Sequence, residues 1–223
     1  MDQKNRRKPS PSTPLSRERI IEAAARVADS GGLSAVTMRA VAAELGVEAM
    51  SLYHHVKNKD AVVDGLAEWI AAQFTLPSVD GDWREEMVRR ATSLRDVLSL
   101  HPWGLGMIES RRNASMALLR HYDAVLGSLL TVFPMRMASH AFSMLDAYIY
   151  GFVLTEVSLP FAPGEGHENE LAAEVAPDPA ELPHLAGMVG ELMATGEYSF
   201  AAEFETGLKL ILDGLEAQLR ASE

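Results

Sequence analysis

The stretch GVEAMSLYHHVKNKDAVVDGL, residues 46–66, decides the reading of this chain. Two histidines, His54 and His55, follow Tyr53 directly. Neighbours on an α-helix point about 100° apart, whereas helical residues that share a metal ion sit three or four apart. His54 and His55 therefore cannot both hold one ion from a regular helix. No carboxylate or cysteine stands three or four positions after either of them. The sequence predicts no metal site here and no cofactor.

Helical phase gives the histidines a different role. With Leu52 set at 0° and facing a core, Val56 falls about 40° away, on the same side. Met50 at about 160° and His54 at about 200° then form an outer crest. Tyr53 and Ala49 share one flank, Ser51 and His55 the other. An exposed helix carrying an aromatic ring, a hydroxyl and imidazoles suits a DNA groove. Its donors reach phosphates and base edges, and Met50 can touch a thymine methyl. Plainer roles are surface packing for Tyr53 and a contact of His55 with the helix C-terminal dipole.

Outward from this stretch, nearly every periodic segment reads as helix. Ser16 caps a helix through about Ser30, which Gly31-Gly32 ends. Thr37 caps a short helix from Met38 to Leu45, and Gly46 supplies a tight turn. A third short helix is expected near Glu48 to His55. Asn58 caps a longer one from Lys59 to about Gln73. Two short helices around a glycine turn, after a longer first one, read as a helix-turn-helix. Val41, Leu45, Val47, Leu52 and Val56 read as its core. Further on, Asp82 and Glu85 resemble a capping box that opens a helix to about Leu100, and His101-Pro102 interrupts it. Helices are expected near Asn113–Val132, Met135–Leu159, Pro183–Ala194 and Ser199–Arg220, with a Pro/Gly/Glu-rich loop before the last two.

The segment SRERIIEAAARVADSGGLSAVTMRAVAAELGVEAMSLYHHVKNKDAVVDGLAEWI, Ser16 to Ile70, closely resembles the DNA-binding domain of TetR-family transcriptional repressors. HPWG and YIYGFVLTE, further on, look like the ligand-binding domains of the tetracycline-repressor type. The resemblance implies an all-α protein: a basic arm over residues 1–15, a three-helix helix-turn-helix head over 16–60, and a larger helical ligand-binding and dimerisation domain over 61–223. It also implies roles. Thr37 and Arg39 would anchor phosphate or reach a base edge. Ala49, Met50 and Ser51 would enter the major groove, and Tyr53, His55 and Lys59 would hold phosphates. His54 falls where the family varies. Lys4, Arg6, Arg7 and Lys8 of the arm would add minor-groove or phosphate contacts; otherwise the arm is a solvated tail.

Charge is divided in the same way. The 223 residues carry a net charge of −11. Residues 1–59 hold ten Lys/Arg against six Asp/Glu, a net +4, and the remainder holds ten against twenty-five, a net −15. A basic head on an acidic body meets a polyanion at one end only. The chain has no cysteine, which excludes disulfides and fits a reducing cytoplasm. Its N-terminus lacks the apolar run of a secretory signal. The most apolar stretch, Ala141 to Phe161, carries Asp146 and Glu156; a charge at a membrane centre costs about 2.5–3.5 kcal/mol, so this reads as a buried helix.

For the body, Phe200, Phe204, Leu208, Ile211, Leu215 and Leu219 recur at helical spacing, with Gly207 and Gly214 beside them. Ala138, Phe142, Leu145, Ile149 and Phe152 do the same, near Gly151. These stripes fit a homodimer's four-helix bundle, or else intramolecular core. A dimer would set two heads about 34–36 Å apart, one DNA turn, on a pseudo-palindromic operator. Candidate walls for a small-molecule effector are Trp69, Trp103, Met107, Ile108, Arg111, Phe142, Asp146 and Tyr150, a set that suggests a mostly hydrophobic molecule. Tetracycline-binding members of the family that this chain resembles chelate a drug–magnesium complex with a histidine shortly after the segment corresponding to HPWG; a gap-free count puts Ile108 there. No histidine lies between His55 and His101, which also argues against tetracycline–magnesium. The chain reads as a repressor released from double-stranded DNA by its effector, with an activator or a corepressor-dependent regulator as alternatives. An all-helical enzyme is disfavoured, because His101, His121, His140, His167 and His184 are scattered, without a nucleophile motif or phosphate loop.

Overall fold

The computed structural model describes residues 14–109, 115–160, 177–194 and 198–221. Among these the regular structure is all α-helical. The elements are α1 (Arg17–Ala35), α2 (Met38–Leu45), α3 (Ala49–Leu52), α4 (Lys59–Ala71), α5 (Trp83–Leu100), α6 (Gly104–Glu109), α7 (Met116–Leu130), α8 (Met135–Glu156), α9 (Pro183–Ala194) and α10 (Phe200–Ala221). They form two compact units, one ending at Trp69 and the other beginning at Ile70. The boundary falls inside α4.

In the first unit the capping residues set the helix starts. Ser16 accepts from the Arg19 N–H at 3.3 Å, Thr37 from Ala40 at 3.1 Å, and Asn58 from Ala61 at 2.9 Å. Each satisfies an amide that the first helical turn leaves without a partner. α1 is broken by Gly31 and Gly32, the latter at φ +70°, as the double glycine predicts. Gly46 is left-handed at φ +67°, and its N–H closes the end of α2 on the carbonyls of Ala42 and Ala43. That conformation favours glycine and turns the chain into α3. Ile20, Ala23, Ala24, Val41, Leu52, Val62 and Leu66 are fully buried around this turn. Leu45 is only half-buried and Val47 is exposed, so these two lie at the margin of the expected core.

α3 is shorter than its sequence suggests. It ends at Leu52, and Tyr53 to His55 form a turn instead of a fourth helical step. The Tyr53 and His55 N–H groups reach back three residues, to Met50 at 3.3 Å and Leu52 at 2.9 Å, and so tighten the last turn. Val56 must then bury itself while Asn58 turns outward to cap α4.

The second unit packs α5, α7, α8 and α10 around an apolar core. Met87, Ala91, Leu94 and Leu98 of α5 face Ala138, Ala141, Leu145, Ile149 and Val153 of α8, all buried. Asp82 caps α5, accepting from Arg84 and Glu85 at 3.0 Å each. His101-Pro102 ends α5 as expected, but the short α6 that follows was not foreseen. The Phe/Leu stripe of α10 turns largely inward: Phe204, Leu208, Leu212 and Leu215 are buried, while Phe200, Ile211 and Leu219 are half-buried. Gly207 is likewise an intramolecular contact. A β-carbon there would come within 2.3 Å of the Tyr148 hydroxyl, which donates to the carbonyl of Phe204 at 2.9 Å. Gly214 and Gly151 face open space.

Two well-shielded ion pairs join distant helices of this unit. Arg95 of α5 holds Glu156 of α8 in a two-pronged grip, Nε to Oε2 at 3.0 Å and Nη2 to Oε1, and lies over the Phe204 ring at 4.8 Å. Arg90 of α5, 1% exposed, pairs with Asp146 of α8. Desolvation offsets most of the attraction in such buried pairs, but removal of one partner is costly because it strands the other charge. Truncation at the centre of the unit should be costly. Leu145→Ala is expected to lose about 2–5 kcal/mol through lost burial and the cavity left behind, whereas Leu100→Ala, on an exposed position, should change stability by less than about 0.5 kcal/mol. Urea denaturation of both variants checks the contrast.

Candidate nucleic-acid interface and ligand cleft

The first unit presents a continuous outer surface around α3. Leu52 is fully buried and fixes the phase, which leaves Met50 71% exposed on the crest. Tyr53, His54 and His55 are exposed, and Ala49 and Ser51 half-buried on the flanks. Thr37 and Arg39 are exposed at the start of α2, and Lys59 at the start of α4. The Thr37 oxygen accepts the capping bond, so its hydroxyl proton stays available to an outside acceptor. Lys57 is exposed beside them, a cation the sequence reading passed over. Lys4, Arg6, Arg7 and Lys8 lie outside the described residues.

The second unit holds a cleft of about 730 Å³ between α6, α7 and α8. Ile108, Phe142, Asp146 and Tyr150, four of the eight candidate wall residues, line it together with Leu118, Leu119, Tyr122, Ser143, Ala147 and Gly151. Tyr122 meets Phe142 edge to face, ring centres 5.3 Å apart. Of the other four candidates, Trp103 is buried against His101, with centroids 5.8 Å apart, and Met107 is half-buried; neither is among the lining residues. Trp69 belongs to the first unit, and Arg111 lies outside the described residues. Among the described residues no group of three or more His, Asp or Glu is placed to hold a metal ion, and no helix is long and apolar enough to cross a membrane.

Behind the cleft sits a polar cluster that the sequence reading missed. Arg90 pairs with Asp146 and donates from Nε to His121 Nε2 at 3.0 Å. His121 therefore carries its proton on Nδ1. Burial, and then the charge of Arg90, push its pKa down to about 3, so it is neutral. Its Nδ1 and the Arg90 Nη1 are buried without a hydrogen-bond partner. The Tyr150 hydroxyl is also buried without a partner in hydrogen-bonding geometry, and burial with the Asp146 charge holds it protonated. A signal did exist in the sequence: Arg90 interrupts the apolar phase of Met87, Ala91 and Leu94, and His121 that of Leu118 and Val125.

The combination of a helix-turn-helix head with a cleft-bearing helical body defines a class of regulatory proteins. Residues 20–66 match the tetR family of bacterial regulatory proteins, and residues 76–219 match the tetracyclin repressor-like C-terminal domain. The chain therefore belongs to the TetR family of transcriptional regulators and is not an enzyme. Its relatives include the HTH-type transcriptional repressor DrrR1 of Streptomyces coeruleorubidus, 29% identical over 94% of this chain and 81% of that protein. The class C tetracycline repressor protein of Escherichia coli is 31% identical over 91% of each chain. Among solved structures, the TetR family protein ActR of Streptomyces coelicolor, in complex with actinorhodin, shares the fold with a TM-score of 0.72 at 23% identity, over 93% of this chain and 99% of that one. A possible TetR family transcriptional regulator from Streptomyces coelicolor A3(2) matches at a TM-score of 0.70 and 29% identity, over 91% and 99%.

The buried neutral histidine has a consequence for stability. His121 takes up its proton near pH 6.5 when unfolded but only near 3 when folded. Between these values the unfolded chain binds the extra proton. The His121 contribution is thus complete above about pH 6.5 and is lost as pH falls toward 3. Urea denaturation from pH 7 to pH 4 should show falling stability, with a shallower fall in His121→Gln.

Proposed function

We propose that this regulator is a homodimeric repressor. Its two heads read a pseudo-palindromic operator, and a small molecule in the cleft between α6, α7 and α8 releases them. The observation that carries the DNA-reading assignment is the α3 surface. Leu52 is fully buried, which leaves Met50, Tyr53, His54 and His55 outward. In this reading Ala49, Met50, Ser51 and His54 meet base edges, while Thr37, Arg39, Tyr53, His55 and Lys59 hold phosphates. The net +4 of residues 1–59 supports the same end of the chain as the one that meets DNA.

For the dimer, support comes from the outer faces of α8 and α10. Met144 and Leu210 are exposed, and a groove of about 430 Å³ runs between the helices past Met137, His140 and Gly214. The open space over Gly214 lets a second helix approach closely. A second copy of this chain is the occupant we assign to that face.

For the effector, support comes from the cleft itself and from the crystal structure of ActR, a protein of the same fold, in complex with actinorhodin. Ile108 brings an aliphatic side chain to the cleft, which favours a ligand other than a tetracycline–magnesium complex. α4 is the element that carries the signal in this proposal, because it is one continuous helix across the unit boundary. A coupling of about 1–3 kcal/mol, a 5–150-fold change in operator affinity, is typical of such linkage.

Selection of bound DNA from a random pool, at stated salt, tests the core of the proposal: an inverted repeat is expected, and no enrichment with or without cell extract would end it. Lys59→Ala should weaken binding to all sequences alike and make the slope of affinity against salt shallower by about one ion. Met50→Ala should instead relax preference at one base step, by about 1–3 kcal/mol. Leu210→Glu should yield a monomer in sedimentation and lose the inverted-repeat site.

A further inference from the structure

We propose that the buried Arg90–Asp146 pair sets the charge preference of the cleft, so that the molecule it accepts is uncharged and carries an aromatic ring. This rests on the reading of the cleft as the effector site, and it adds the chemical class of the ligand.

Asp146 is the one formally charged residue among the described residues that line the cleft. Its charge is already matched. Arg90 reaches it from α5, and at 1% exposure Arg90 is shut off from bulk solvent. His121, the next member of the cluster, is neutral and adds no charge. Pair and histidine together are electrically balanced.

A charged ligand disturbs that balance in either direction. An anion would sit against the Asp146 carboxylate in a weakly solvated wall. A cation would draw Asp146 from Arg90 and leave a buried guanidinium without its counter-ion, which is the costly way to break such a pair. An uncharged ligand does neither. The remaining wall fits one with π-faces: Tyr122 and Phe142 meet edge to face, and Tyr150 lies on the same helix as Phe142. The Tyr150 hydroxyl is buried and held protonated, so this wall adds no further charge.

Three probes with one ring system test this on the full chain: 2-acetylnaphthalene, 2-naphthoate and 2-naphthylmethylammonium, measured by calorimetry at pH 7. The ketone should bind at least about tenfold more tightly than either ion. Asp146→Asn leaves the Arg90 charge unmatched and should move the preference at least about tenfold toward naphthoate. Arg90→Met leaves Asp146 unmatched and should move it as far toward the ammonium probe. Either variant alone decides the point if the other fails to fold. A wild type that binds an ion as tightly as the ketone, or that fails to bind the ketone, overturns the proposal whatever the variants do.

Ala147→Trp, which fills the cleft, separates this inference from the reading beneath it. Loss of all binding in that variant, with no charge order in the wild type, removes the inference and leaves the cleft as a binding site. Unchanged binding in that variant removes both. The expected charge order, with operator affinity unmoved by saturating ketone, keeps the inference and removes the effector role.

Discussion

Arg90 stands in the middle of a helical body at 1% exposure, and its charge has to be met where it stands. Coulombic attraction in so poorly solvated a place is strong, but so is the cost of leaving water. The structure answers with Asp146 of α8 on one side and the His121 imidazole of α7 on the other. Three helices are thereby held to one register. A slip of α5 by one residue would turn Arg90 about 100° away from both partners. The apolar layers around it, Leu94 and Leu145 above all, supply the bulk of the burial but tolerate several packings. The ion pair admits one, and the cleft takes its shape from the α7 and α8 surfaces that this register aligns.

Arg95 and Arg84 show how environment ranks such contacts. Arg95 binds Glu156 with two prongs, accompanied by Ser99 at 3.1 Å from the same carboxylate, and stacks over aromatic rings. Arg84 reaches Asp213 at 2.5 Å and Glu216 at 3.2 Å, but these carboxylates are about 40% exposed. Screened pairs of that kind contribute little, about 0–1 kcal/mol. Both tie α5 to a later helix, yet only the Arg95 pair is shielded enough to specify a position.

Legibility in the sequence followed the range of the interaction. Thr37, Asn58 and Asp82 cap helices through bonds two or three residues away, so their roles could be read locally. Leu52 and Val56 gave the phase of α3, and with it the exposed crest. Four of the eight proposed cleft residues do line one cleft, because Phe142, Asp146 and Tyr150 share a helix face at four-residue spacing. What stayed hidden depends on partners far along the chain. Arg90 and Asp146 are 56 positions apart, and no local rule joins them. The spacing of Gly207 suits approach of a second copy, but Tyr148, on another helix, fills the space beside it. α3 ends at Leu52, before the His55 limit that the sequence suggests, and the chain turns there toward the Asn58 cap of α4.

The boundary between the two units lies inside α4, and this constrains how such proteins can be recombined. A flexible linker would let any head be joined to any body with little attention to length. A helical join transmits rotation: one residue inserted turns everything beyond it by about 100° and advances it about 1.5 Å. Exchange of heads among members of the family is therefore a problem of phase.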